Sequence, residues 1–234
     1  MNYFKLLPLS AVLVLAGCPF DDDGSSNTSP PAAPAALERQ FEITVTNLTA
    51  NQPLSPATAL LHDDGYSLFE IGQAASDNLE QLAEAGDNSG YQSSSDIVQF
   101  ASGSDVIPPG SSDTLTVDVP NAEYLTVATM LVNTNDAFAA NDGLDLNTIA
   151  VGESVTVTLL VWDAGTEANS ESAATIPGPA GGGEGFNANR DDSDDSVASH
   201  AGVISQDDGL ATSALSANHR FQQPAVRMEV KRTQ

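Results

Sequence analysis

Apolar side chains at every second position set the limits on this fold. Phe41, Ile43 and Val45 alternate with Glu42, Thr44 and Thr46; Leu115, Val117 and Val119 with Thr116 and Asp118; Val226, Met228 and Val230 with Arg227, Glu229 and Lys231. Successive side chains of a strand point to opposite faces, so each run predicts a half-buried strand, apolar inward and polar outward. The runs 124–132 and 155–162 are denser in apolar residues and predict central strands covered on both faces. Further strands are expected near 55–61, 95–101 and 144–149. Short strands separated by Pro, Gly and Asn predict an antiparallel β-sandwich. One segment departs from the pattern: within 68–85, Leu68, Ile71, Ala75, Leu79, Leu82 and Ala83 follow helical spacing, and Gly86 follows as a C-cap. The expected class is all-β, with one short helix and long acidic loops. With 41% hydrophobic residues in 234, the chain can bury a core.

The first 38 residues read as an address and a tether. Residues 1–17 carry one cation, Lys5, and then an apolar run broken only by Pro8 and Ser10, the layout of a secretory signal. Leu15-Ala16-Gly17-Cys18 resembles the bacterial lipobox, in which the cysteine thiol is lipidated before cleavage, and Cys18 is the only cysteine. Phe20 stands where an aspartate would resemble an inner-membrane retention signal, which favours the outer membrane. Residues 18–38 have too few large apolar side chains to fold and read as a lipidated, disordered tether. The folded domain is expected over 39–234, anchored to the envelope by its lipid. Residues 165–223, with Gly181-Gly182-Gly183 and the acids of 191–195, read as a long excursion, more mobile than functional.

Charge excludes some functions and suggests another. With 7 Lys and Arg against 32 Asp and Glu, nucleic acid is not a partner. A single cysteine excludes a disulfide framework and a multi-thiolate zinc site. No Lys or Arg occurs from 40 to 189, so counter-charge for these acids is expected from solvent ions or a bound metal. There is no GxSxG, HExxH, GxxxxGK or CxxC motif, and His62, His200 and His219 are scattered, so no catalytic residues are assigned. Two strand ends carry acids: one run leads through Asn133-Thr134-Asn135 to Asp136, the other ends in Asp163 with Glu167 four residues on. If one more strand, near 144–150, lies between them, Asp136 and Asp163 emerge at the same end. Gly165 would let the chain curl so that Glu167 returns towards Asp163. Three converging carboxylates without a local cation call for a hard divalent ion, and oxygen-only ligands favour Ca2+ over zinc. The alternative is that these acids are simply solvated.

These segments resemble the spondin N-terminal domain of F-spondin, mindin and bacterial secreted proteins. The resemblance is carried, in order, by His62; by Gly72-Gln73-Ala74-Ala75-Ser76 leading to Leu82-Ala83-Glu84-Ala85-Gly86; by Thr129-Met130 leading to Asp136; and by Trp162-Asp163-Ala164-Gly165-Thr166. It spans about 40–232. The chain departs from animal members in having Asn133-Thr134-Asn135-Asp136-Ala137-Phe138 for a Pro-Ser-Pro-Asp-Trp pattern, Glu167 for an aspartate, and no disulfide cysteines. The resemblance implies a sandwich related in shape to C2 domains, with calcium held by Asp136, Asp163 and Glu167. It also implies adhesion without catalysis, towards an extracellular or envelope ligand. An envelope hydrolase using acids of 165–223 and a purely structural lipoprotein are the alternatives.

Overall fold

The computed structural model describes residues 39–120, 122–190 and 195–234. The expected signal segment, the expected lipidation site Cys18 and the expected tether lie outside the described residues. Among the described residues ten strands, all paired antiparallel, form one sheet: β1 (Arg39–Asn47), β2 (Thr58–His62), β3 (Gln99–Ser102), β4 (Ser112–Val119), β5 (Tyr124–Met130), β6 (Ala137–Ala140), β7 (Leu144–Asp145), β8 (Ser154–Asp163), β9 (Ala198–Ser199) and β10 (Val226–Arg232). Their order is β3-β2-β5-β6-β8-β10-β1-β4, with β7 beside β5 and β9 beside β8. The long strand β8 belongs to both halves. Its first six residues pair with β10, from Ser154 opposite Lys231 to Leu159 opposite Val226, and its last four pair with β6. The sheet therefore turns on β8 and nearly closes, with β3 and β4 approaching each other. The expected all-β antiparallel class holds, in a form closer to a barrel than to two separate layers.

Strict alternation in β1, β4 and β10 sends Phe41, Ile43, Val117, Val119, Met228 and Val230 into the interior, where they meet Leu125, Val127, Leu159 and Val161. A second apolar layer covers the outer face of β2, β5 and β6: Leu79, Leu82 and Ala83 of the helix α1 (Asp77–Ala85) pack with Leu60, Ala128 and Phe138. This explains why β2 and β6 are buried at every position and β5 at all but its first. The expectation of two-sided cover fails for β8, whose Thr156, Thr158 and Leu160 are exposed.

The helix is shorter than its spacing predicts. Residues 68–76 are irregular chain with a turn at Ile71-Gly72; Gly72 sits at φ 80° and Ile71 is exposed. The helix begins where the Ser76 hydroxyl accepts the Leu79 N–H at 3.3 Å, and ends at Gly86, φ 68°, whose N–H closes onto Gln81 and Leu82 carbonyls. The strand expected near 144–149 reduces to the two residues of β7 and a 3-10 turn.

The 165–223 excursion packs onto the sheet instead of hanging free. Ile176, Val203 and Leu215 form a small core of their own, with Ala180 and Phe221 against it. Glu171 ties its two limbs together: its side chain accepts the Ile204 N–H at 3.0 Å and its carbonyl accepts the Ala214 N–H at 2.7 Å.

Candidate functional site

The turn between β5 and β6 is polar and buried: Asn133, Thr134, Asn135 and Asp136 are each 2% exposed or less. A buried turn must satisfy its backbone groups internally, and short polar side chains do this locally. The Thr134 hydroxyl donates to the Leu131 carbonyl at 2.6 Å and accepts the Ala137 N–H at 3.1 Å. The two asparagines fasten the turn to the excursion. Asn133 Oδ1 accepts the Ala180 N–H at 2.9 Å, and Asn135 Nδ2 donates to Thr175 Oγ1 at 2.6 Å and to Glu167 Oε2 at 3.2 Å. Amide side chains thus hold this turn in place of stiffening prolines.

Asp136 and Asp163 share one end of the barrel, as expected, although the strand that brings them together is β6, not 144–150. Asp163 pairs with Ala137, the residue after Asp136. The chain then curls at Gly165, φ 74°, and the N–H groups of Thr166 and Glu167 donate to Asp136 Oδ2 at 2.9 and 3.0 Å. The other oxygen, Asp136 Oδ1, is buried and has no hydrogen-bond partner among the described residues. Asp163 accepts the Gly165 N–H at 2.9 Å on Oδ1 and Asn169 Nδ2 at 2.6 Å on Oδ2.

Glu167 returns by its backbone, not its carboxylate. The side chain turns to Asn135 and to Arg190, whose Nη1 lies 2.8 Å from Oε1 as a charge contact lacking hydrogen-bond geometry. Arg190 Nη2 also lies 3.9 Å from Glu84 Oε2, an acid of α1 that is 1% exposed and accepts the Asn187 N–H at 3.3 Å. This corrects the expectation that acids of 40–189 draw counter-charge from solvent or metal alone: the first cation beyond that run folds back onto two of them. Neither Glu84 nor Arg190 is among the site residues expected from the sequence. Their signals were an acid within the apolar spacing of α1 and an arginine ending the cation-free stretch.

Four carboxylates and one guanidinium leave the site short of positive charge. Burial above all, then the charge of Asp163, pushes Asp136 up to about 7 against the pull of its two backbone N–H donors. Burial likewise pushes Glu167 up to about 8, with Glu84 and Asp136 adding to it and Asn135 and Arg190 opposing. Burial also raises Glu84, despite the Thr166 hydroxyl, the Asn187 N–H and Arg190. Among the described residues, no three His, Cys, Asp or Glu side chains converge as a metal ion requires. Asp136 and Asp163 are adjacent, and the Glu167 carboxylate stands off towards Arg190.

His62 is buried as a structural residue, with Nδ1 on the Asp63 carbonyl at 2.9 Å and Nε2 on Thr126 Oγ1 at 3.0 Å. His200, 6% exposed, accepts the Gly202 N–H and packs on Phe221; burial lowers its pKa while Asp163 opposes the shift.

Gly165 holds the site's geometry. A Cβ there would meet the Ser196 carbonyl oxygen at 2.4 Å and its nitrogen at 2.7 Å, at a φ that disfavours any side chain. Gly165→Ala is expected to cost about 2–3 kcal/mol in denaturant unfolding. A cost under about 0.5 kcal/mol, the range of neutral surface changes, would show that this turn does not need its glycine.

Comparison with known proteins gives one family: the model described as Spondin_N matches residues 39–178, well over half of the chain. The match contains the β5–β6 turn, Asp163 and Glu167, and stops short of the 232 reached by the sequence resemblance. No curated protein matches the chain.

Proposed function

The chain belongs to the spondin N-terminal family of non-enzymatic domains, and on that premise we propose that it is a calcium-binding adhesion or recognition module, anchored to a bacterial outer membrane by a lipid on Cys18. The observation that carries the calcium reading is Asp136 Oδ1, a buried carboxylate oxygen without a partner among the described residues, beside carboxylates that burial has made reluctant to ionise. A hard cation resolves both features, since it supplies the missing partner and the missing charge. Asp136 and Asp163 would hold it, with Glu167 completing the set by turning from Arg190. The ion would tie the β5–β6 turn to the segment after β8 and rigidify that end of the barrel.

Recognition is favoured over catalysis because the carboxylates that burial makes reluctant to ionise are engaged inwardly. Asp136 receives two backbone N–H groups, Glu167 faces Arg190 and Asn135, and Glu171 of the excursion accepts the Ile204 N–H. Calorimetric titration of calcium into metal-stripped protein tests the site. Saturable calcium uptake is expected, with magnesium far weaker because it loses its waters reluctantly, and with uptake lost in a folded Asp163→Asn variant. Folded wild-type protein that takes up no calcium would overturn the reading.

A further inference from the structure

The sheet has a gap beside the first half of β8. From Leu160 to Asp163 one edge of this strand is covered by β6, but before Leu160 that edge is unpaired, because the chain leaving β6 turns at Gly143, φ 62°, and follows β5 as β7. Neighbouring bonds fix which backbone groups face the gap. The Arg232 N–H donates to the Glu153 carbonyl at 3.0 Å, and Val161 bonds through both its N–H and its carbonyl to the Gln223 side-chain amide at 2.8 and 2.9 Å, so the odd-numbered residues of β8 point towards β10. Successive residues of a strand point their backbone groups to alternate sides. The N–H and C=O groups of Ser154, Thr156 and Thr158 therefore point into the gap, where they have no partner among the described residues.

Apolar side chains line the same gap from both faces of the sheet. Val157 and Leu144, which pack against the barrel interior, share a groove of about 290 Å3 with Leu160, Trp162 and Phe69 of the outer face. Val155 and Val157 are only partly buried, whereas Leu159 and Val161 further along the same inner face are buried. Leu160 on the outer face is 44% exposed. Interior side chains are thus left uncovered where β8 lacks a neighbour. An open edge with free donors and acceptors, beside uncovered apolar side chains, is a template for one more strand.

We propose that this gap takes an extended peptide segment of a partner protein, added as a strand along Ser154–Thr158. Its backbone exchanges hydrogen bonds with Thr156 and Thr158. Its side chains alternate between Val157 and Leu144 on the inner face and Leu160, Trp162 and Phe69 on the outer one, so the segment is apolar at consecutive positions. Basic residues flank it, because Asp142 is the one charged residue lining the groove and the chain carries a formal charge of -25. That charge opposes a second copy of this chain as the occupant. The chain's own segment 29–38, with prolines at 30, 31 and 34, lacks N–H groups that a paired strand needs.

Titration of the peptide Lys-Val-Leu-Val-Thr-Lys into the protein tests the assignment. Trp162, the only tryptophan, reports occupancy by its fluorescence, and amide hydrogen exchange reads the pairing. Saturable one-to-one binding is expected, with exchange at the Thr156 and Thr158 amides slowed more than about tenfold. The same peptide with N-methylated amides keeps the charge and the apolar side chains but cannot donate, and should bind more than about tenfold more weakly. Leu160→Thr should weaken binding about fivefold by removing apolar surface from the groove. Thr158→Pro removes an N–H aimed into the gap and none bonded to β10, and should weaken it more than about tenfold. Val106→Thr, an equal loss at an exposed position outside the groove, should leave it within about twofold. Asp136→Asn should also leave it unchanged, so failure of the calcium site and failure of this one are separable. No saturable binding, or binding that Leu160→Thr does not weaken, would overturn the proposal. So would equal binding of the N-methylated peptide, which marks apolar adsorption. Thr156 and Thr158 amides already slowed without peptide would overturn it too, since the edge would then be covered by a second copy or by the chain itself.

Discussion

Metal-stripped protein is expected to lose stability as the pH rises from about 4 to about 8, the opposite of a domain held by ion-paired carboxylates. Asp136 moves from an ordinary 3.8 to about 7 and Glu167 from 4.5 to about 8, so between these limits the folded state binds protons that the unfolded chain has released. Stability falls with pH wherever the folded state holds more protons. The contribution of these groups is therefore fully present below their unfolded values and is lost as the pH passes through 7 to 8. For Asp136 alone the whole shift corresponds to roughly 4 kcal/mol at most. Calcium should reverse the trend, because it takes the place of the protons; a concentration about a hundredfold above Kd adds about 2.7 kcal/mol. Urea midpoints from pH 5 to 8, with chelator and with calcium, measure both limbs. Asp136→Asn sharpens the test, since the amide oxygen still accepts from Thr166 and Glu167 while the buried charge is gone. That variant should be more stable than wild type at pH 8 without metal, shallower with pH because only Glu167 and Glu84 still titrate in this window, and blind to calcium. A wild type that gains stability across this window, or a variant that calcium still stabilises, would overturn the assignment.

How far the sequence carries depends on which physical signal each residue leaves. Alternation in Phe41-Ile43-Val45 and in Val226-Met228-Val230 was legible because those strands have one wet face. It was silent for Ala137-Phe138-Ala139-Ala140, where burial on both faces erases the period and alanine is a poor strand former. Asp136 and Asp163 were nonetheless placed at one end, because any single antiparallel strand between their own strands gives that result. The start of α1 is hidden in the sequence because residues 68–75 keep apolar spacing across Gly72, and the Ser76 cap outweighs that spacing. Contacts distant in sequence left no pattern at all. Ile176, Val203 and Leu215 share a core without a common period, and the approach of Arg190 to Glu84 depends on how the excursion folds over α1.

Arg190→Met is expected to destabilise the protein by about 3 kcal/mol at pH 8, less at pH 6. Arg190 is the cation that faces both Glu84 and Glu167, each at most 2% exposed, and its methionine replacement keeps much of the apolar stem while removing the charge. The cost depends on pH because the acids can escape it by protonating. The Glu167 carboxyl reaches that of Glu84, so one proton can serve both, leaving a single negative charge for Arg190 to balance. As the pH falls a second proton can replace the lost guanidinium; as it rises that proton is released and the charge is stranded. Glu84→Gln introduced with Arg190→Met should recover most of the loss, since it removes the stranded charge and keeps a polar group for the Asn187 N–H. The same variant bears on the calcium reading from the other side. With the guanidinium gone, Glu167 is free to turn to Asp136 and Asp163, so Arg190→Met should bind calcium several-fold tighter while being less stable without it. Weaker calcium binding in a folded Arg190→Met protein would mean that the arginine supports the cation site and does not compete with it, and Glu167 would then leave the ligand set.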